Sequence, residues 1–277
     1  MRTIALAILA LAFSAQAADV DAVLGRLDGY LERYEGDLGS LLADEDFRQE
    51  IPGLPGNGPF PRPQQRRLES EVAFLRLPGD AEWIGFRRVK RVDRKPVDDR
   101  HQSLAALLSV TSSDTVAQAK LLVAQSSEYN LGDPRTINLP NLPLELLSRQ
   151  YRHRFEITHG GKDKVRGRPV DVLEFSELGP PPIVYNGGYE LQSHVRAWID
   201  VQTGALWRAE VVLKGNNERR EPSKVRVEFA LAPQLQVIVP IEMREEFSVA
   251  NGNGRGVAKY SNFRRFQTSA RIVPPPP

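Results

Sequence analysis

The chain has 277 residues, with 37 Lys and Arg against 35 Asp and Glu and 41% hydrophobic residues, which fits one large domain or two small ones around a sizeable core. The near-neutral balance argues against a dedicated nucleic-acid binder, for which a strongly basic face is expected. The absence of cysteine excludes disulfides, thiolate nucleophiles and cysteine metal sites, and with them lipid attachment through an N-terminal cysteine.

Arg2, the apolar run Ile4 to Phe13 and the small-residue triplet Ala15, Gln16, Ala17 predict a signal peptide over residues 1–17, cleaved after Ala17. The run is about half of the roughly 20 apolar residues that a bilayer core demands, so a membrane anchor is the weaker reading. The expected location is periplasmic or secreted, with no transmembrane segment in the mature chain. Next, Val20, Val23, Leu24, Leu27, Tyr30, Leu31, Tyr34, Leu38, Leu41 and Leu42 recur at intervals of three and four, which predicts an amphipathic helix over 20–42. The Pro- and Gly-rich segment 51–63 excludes helix and central strand, yet it holds Ile51, Leu54 and Phe60.

Strands are expected within 68–93, through Val72 and Phe74 and then from Trp83 to Val92. Arg87, Arg88, Lys90 and Arg91 in this stretch read as a solvated strand face. Helical segments are expected across 103–149, the longest starting at Asp114, with a loop at Asn138 to Pro143. From Tyr151 to residue 268 the period changes to two. Val195, Ala197 and Ile199 alternate with Arg196, Trp198 and Asp200, and Ala205, Trp207, Ala209, Val211 and Leu213 continue the apolar face after a turn at Gln202 to Gly204. By this parity Trp207 belongs on the buried face and Trp198 on the wet one. The register breaks near Ser261 and Asn262, which predicts a bulge.

Short turns and one-faced alternation imply a long antiparallel meander that needs a cover. The expected fold class is therefore α+β: one domain over 18–270, a curved antiparallel sheet or half-barrel with helices on its concave face. Residues 271–277 are expected to form a frayed tail.

Trp198, Ile199 and Asp200, the turn at Thr203 and Gly204, and Leu206, Arg208 and Glu210 carry a resemblance. Together with an export signal and a first amphipathic helix, this pattern over about the last 130 residues resembles the lipoprotein-carrier superfamily of bacterial periplasms. The resemblance implies an incomplete barrel plugged by helices, with a cavity for acyl chains. The strings Tyr260, Ser261, Asn262, Phe263 and Pro240, Ile241, Glu242, Met243 are similar to those of uncharacterised exported bacterial proteins, and imply no activity.

No catalytic or metal-binding residue is assigned, and no cofactor is expected. His101, His153, His159 and His194 lack the spacing of a helical zinc motif, and His153 and His194 read as structural histidines on strands. His159, Gly160 and Gly161 form a donor-loop-like string, but the chain holds no G-x-S-x-G elbow, and a glycine turn explains it. Acidic clusters at Asp44, Glu45, Asp46 and at Asp98, Asp99 read as charged turns, with paired hydrolytic carboxylates as the distant rival. The least ordinary features are the Pro/Gly loops that carry apolar side chains. Leu54, Phe60, Tyr185 and Tyr189 are the candidate lid of a ligand site. The expected function is a non-catalytic binding or carrier protein for a hydrophobic or acylated ligand. The alternatives are a structural or interaction protein with an envelope-protein partner and, third, a carboxylate-based hydrolase. An apolar cavity of several hundred cubic ångströms separates the first from the others.

Overall fold

A computed structural model of the chain describes residues 19–34, 37, 41–53, 62–76, 83–97, 123–215, 222–250 and 252–265. The expected signal peptide, Leu54, Phe60, His101, Asp98 and Asp99 lie outside them. Three helices are described: α1 (19–34), α2 (123–128) and α3 (Leu142–Leu146), with a 3-10 turn at Arg149–Arg154. The strands are β1 (Leu41–Ile51), β2 (Gln64–Arg76), β3 (Trp83–Val92), β4 (Lys95–Pro96), β5 (Phe155–Val165), β6 (Arg168–Glu177), β7 (Val184–Asn186), β8 (Tyr189–Asp200), β9 (Leu206–Gly215), β10 (Ser223–Ala232), β11 (Val237–Val249) and β12 (Gly252–Arg265).

All twelve strands belong to one open antiparallel sheet in the order β4-β3-β2-β1-β12-β11-β10-β9-β8-β6-β5, with β7 pairing β8. The fold is α+β, a curved sheet whose concave face the helices cover. Strong one-faced alternation makes this necessary. Leu173, Phe175, Val195, Ala197, Val211, Val225, Val227 and Phe229 all face one side and would otherwise meet water. Helix α1 covers them with Val20, Val23, Leu27, Tyr30, Leu31 and Tyr34, the stripe that its spacing foretold. Register shifts in several strand pairs add twist and help the long sheet curl. One of them falls between Leu42 and Asp44 opposite Ser261 and Arg264, where Asn262 takes φ 52°, which is the expected bulge.

Several expectations are corrected. Leu41 and Leu42 do not end a helix: they open β1, the central strand that joins the early β2–β3 hairpin to the late meander at β12. His153 lies in the exposed 3-10 turn rather than in a strand. The His159–Gly161 segment is no turn: β5 runs through it with a bulge against β6. Arg87 is not solvated but fully buried.

Trp207 also changes face. The pairing of β8 with β9 shifts between Trp198–Arg208 and Ile199–Leu206. Leu206 therefore joins the helix-covered core, and Trp207 packs with Trp198, Val165, Val170 and Val172 in a second cluster. Val172 sits one position from Leu173 on β6, so this cluster lies on the opposite face of the sheet. Arginines roof it, Arg168 over the Trp207 ring at 4.6 Å and Arg208 over Trp198 at 5.3 Å.

Candidate functional site

The segment 123–154 is held on the sheet by a buried polar network as much as by apolar contact. Arg87 grips Glu45 with two bonds of 2.6 and 2.9 Å and donates to the Asn138 carbonyl at 2.7 Å. Asn138 donates to Asn130 at 2.8 Å, and Asn130 to the Arg135 carbonyl at 2.8 Å. Arg135 in turn meets Gln49 and Glu245 at 3.0 Å each. Burial by itself disfavours the Arg87 charge, but Glu45 more than offsets this and holds its pKa above the ordinary value. Burial, with Glu45 second, pushes the Tyr260 phenol upward. The two buried carboxylates Glu45 and Glu245 are thus committed to arginines under the cover, a structural arrangement and not the open acid pair that a hydrolase needs.

At the other end of the sheet a second cluster fastens α1. Arg26 donates to Asp171 at 2.8 Å, and His159 Nε2 stands 3.5 Å from Asp19 and 3.7 Å from Asp171. His159 Nδ1 accepts the Gly161 N–H at 3.0 Å, which turns Nε2 toward the two carboxylates. These groups clamp a helix to a strand. Among the described residues no group of three His, Cys, Asp or Glu is placed to hold a metal ion.

Among the described residues, two depressions bear on the site. The larger, about 620 Å³, is lined by Arg48, Arg66, Arg67, Arg94, Arg255 and their neighbours on β1, β2 and β12. Most of its cations are engaged: Arg67 with Asp46 at 2.8 Å, Arg255 with Glu50 at 2.6 Å, and Arg66 with the carbonyls of Tyr129 and Asn130. The smaller, about 280 Å³, opens on the helix-covered side between β3, α2, α3 and β7. Its lining includes Val123, Ile137, Leu139, Leu146, Ile183 and Val184, with Tyr151 and Tyr185 as its aromatic members. Polar and apolar atoms contribute about equally to its surface, and the polar side chains are Thr136, Asn141 and Glu145.

Local chemistry explains why the pocket has this shape. A β-carbon at Gly85 would stand 2.3 Å from Asn141 Oδ1 and 3.0 Å from Leu139 Cδ1, so the loop before α3 rests directly on the β3 backbone. On the other wall, the buried Glu177 carboxylate accepts the Ile183 N–H at 2.7 Å and the Ser193 N–H and hydroxyl at 2.8 and 2.7 Å. Arg154 donates to the carbonyls of Gly179 and Pro181. The Thr136 N–H donates to Asn186 Oδ1 at 2.9 Å. The loop expected to swing as a lid is therefore tied down at its base, and only its tip stands out.

Of the candidate lid residues, Tyr185 is 52% exposed and lines the pocket, whereas Tyr189, 61% exposed, is not among the lining residues. Tyr185 pairs with Glu190 and Asn186 with Tyr189, so the two tyrosines project from opposite sides of the β7–β8 hairpin. Sequence reasoning missed Glu177, Gly85 and Tyr151. Glu177 alone left a trace, as a charged residue at an inward position of an apolar strand.

No family model matches the chain, and no curated protein matches it. Among solved structures it is similar to a DUF1329 family protein from Desulfovibrio piger, at 12% identity and a TM-score of 0.42, covering 89% of this chain and 92% of that one. It is also similar to an outer membrane lipoprotein-sorting protein domain from Vibrio parahaemolyticus, at 10% identity and a TM-score of 0.42, covering 89% and 93%. A LolA superfamily protein from Nitrosomonas europaea matches at 12% identity and a TM-score of 0.34, covering 92% and 94%. At these identities no residue role passes from them to this chain.

Proposed function

We propose that the chain is an exported, non-catalytic binding protein of the cell envelope, whose ligand places an apolar or acyl group in the pocket beneath Tyr185. The observation that carries this reading is the pocket itself: a depression of about 280 Å³ whose lining residues are mostly apolar though polar atoms form about half of its surface, opening beside an exposed tyrosine on a braced hairpin. Its volume sits at the lower edge of the roughly 300–1,000 Å³ typical of small-molecule sites. The guest is accordingly a single acyl chain or an apolar group of similar girth, and not a whole lipid. Each buried CH₂ contributes about 0.8 kcal/mol, so a short chain suffices for retention.

Exposed Leu178, Tyr185 and Tyr189 around the same hairpin favour, as the second reading, a protein partner that inserts an apolar side chain there. Native mass spectrometry of protein recovered from the periplasm tests the first reading. It should show fatty-acid-sized adducts that vanish on denaturation and decrease when Tyr185 becomes Ser. Adduct-free protein that also fails to bind a fluorescent fatty acid overturns it and leaves the partner reading.

A further inference from the structure

The geometry points to a second binding site, on the outer face of the sheet: the arginine-lined depression across β1, β2, β12 and the β3–β4 turn takes a phosphoryl group, free in solution or carried on a lipid. This site goes beyond the apolar pocket, which opens on the helix-covered side, and does not depend on it.

Strand parity fixes the face. Phe47 on β1 and Ala258 on β12 belong to the helix-covered core, so Arg48 and Val257, one position away from them, project outward. The same parity puts Arg255 on the outer face, and Arg67 with it, next to the core residue Leu68. Arg48 stands directly opposite Arg67 on one side and Val257 on the other. Like charges directly opposite each other work against strand pairing, so the sheet holds these two cations together against their repulsion.

The acids at hand do not absorb all of this charge. Arg67 closes on both oxygens of Asp46, at 2.8 and 3.0 Å, which leaves Arg48 a long 3.4 Å contact and a side chain 70% exposed. Arg255 commits one nitrogen, Nη2, to Glu50 at 2.6 Å, and its side chain is 72% exposed. Arg94 forms no ion pair among the described residues and is exposed.

Arg94 is nevertheless held in place. The Asp93 N–H donates to the Arg67 carbonyl at 2.8 Å, and the Arg67 N–H donates in return to Asp93 Oδ1 at 2.8 Å. The turn then takes φ 49° at Asp93 and 68° at Arg94. Glycine or asparagine fills such a position with less strain, so an arginine there points to a use for its charge.

Open guanidinium forks from β1, β12 and the turn thus line one depression of about 620 Å³, whose lining holds five arginines against two carboxylates, Glu50 and Asp93. A phosphoryl group matches this set better than a carboxylate does. It carries more charge and offers an acceptor oxygen to each fork, in the two-bond geometry that guanidinium favours. The volume also leaves room for the molecule to which the phosphoryl group is attached.

Two probes separate the sources. Inorganic pyrophosphate is titrated by calorimetry, and phosphatidylcholine vesicles with and without phosphatidic acid are floated with the protein. Saturable binding of either probe supports the site; capture by phosphatidic acid vesicles alone assigns the group to a lipid, and binding of pyrophosphate alone assigns it to a soluble ligand. Arg94→Gly should weaken binding by about tenfold or more, through the loss of a charge-assisted fork, while keeping or raising the melting temperature because the strained turn relaxes. Arg48→Gln should weaken it by about as much, and its repulsion with Arg67 disappears. Excess acetate should not compete. Absence of saturable binding to both probes overturns the proposal, as does binding that neither substitution weakens or that acetate displaces as well as phosphate does.

Discussion

Gly204 lies so close to Arg26 that a β-carbon on it would stand 2.1 Å from the Arg26 carbonyl oxygen. Its φ of +73° is a conformation that side chains resist. Asp200 builds the turn around it, accepting the N–H groups of Gln202 and Thr203 at 3.0 and 2.9 Å and the Trp207 indole N–H at 3.1 Å. The β8–β9 turn is therefore the seat on which α1 rests. Gly204→Ala should destabilise the fold by about 2–4 kcal/mol, combining backbone strain with a forced shift of the helix. Urea unfolding followed by circular dichroism measures it; unchanged stability would show that α1 does not sit on this turn.

The same carboxylate gives an acid dependence. Burial alone would raise the Asp200 pKa, but the N–H groups of Thr203 and Gln202 and the Trp207 indole outweigh it, so the group titrates below the ordinary value of 3.8. A folded-state pKa below the unfolded one contributes stability that is present above the unfolded value and lost as pH falls through the folded one. Stability should therefore drop below about pH 4, and Asp200→Asn should flatten that drop. An equal acid slope in the variant contradicts the assignment.

Trp198 and Trp207 share one cluster on the uncovered face, so Trp198→Ala and Trp207→Ala should cost similar amounts, each about 3 kcal/mol. Because the rings share the neighbours Val165, Val170 and Val172, the double variant should lose less than the sum. A loss confined to Trp207 would restore the face assignment read from strand parity.

Tyr30 and Tyr34 stack at 5.2 Å under α1, and their buried hydroxyls find no hydrogen-bond partner among the described residues. Burial, and secondarily the charge of Asp37, raises the Tyr34 pKa far above its ordinary value of 10.0. A raised folded-state value favours the protonated fold. Its stability is complete below the unfolded pKa and lost as pH climbs beyond it, so the protein should weaken above about pH 10. Tyr34→Phe should remove part of that loss and add about 1 kcal/mol at neutral pH, since an unsatisfied hydroxyl disappears. Urea midpoints at pH 8 and 11 decide it; a destabilised variant at pH 8 would contradict the account.

Arg87→Ala leaves Glu45 buried without its partner and should cost about 3–5 kcal/mol, whereas replacing both by Met should recover most of it. Equal losses in the single and double variants would mean that the pair is not the energetic unit.

These residues also show what could be read in advance. The late meander was legible because apolar side chains alternate there without interruption, and α1 because its stripe holds a helical period. Strand β1 was not, because its inward positions include Glu45 and Gln49, which look solvated until Arg87 and Arg135 arrive from 42 and 86 residues away. Trp207 was assigned to the wrong face because a register shift cannot be seen in an alternating string. The pocket was only half legible. Tyr185 stood out as an apolar residue in a Pro/Gly loop, but Gly85, Tyr151 and Glu177 reach the site from separate elements that only the fold brings together.

The central claim is that the depression under Tyr185 binds an apolar chain. Titrating a fluorescent fatty acid into the protein, and into the protein carrying Ile183→Arg, tests it most directly. Ile183 lines the pocket and packs, partly buried, against the core while Glu177 fixes its main chain, so the melting temperature of the variant is measured beside its binding. The account expects saturable binding in the first and at least tenfold weaker binding in the second, because a charge then replaces apolar lining. Absent or non-saturable binding, or an affinity that Ile183→Arg leaves unchanged, would contradict it.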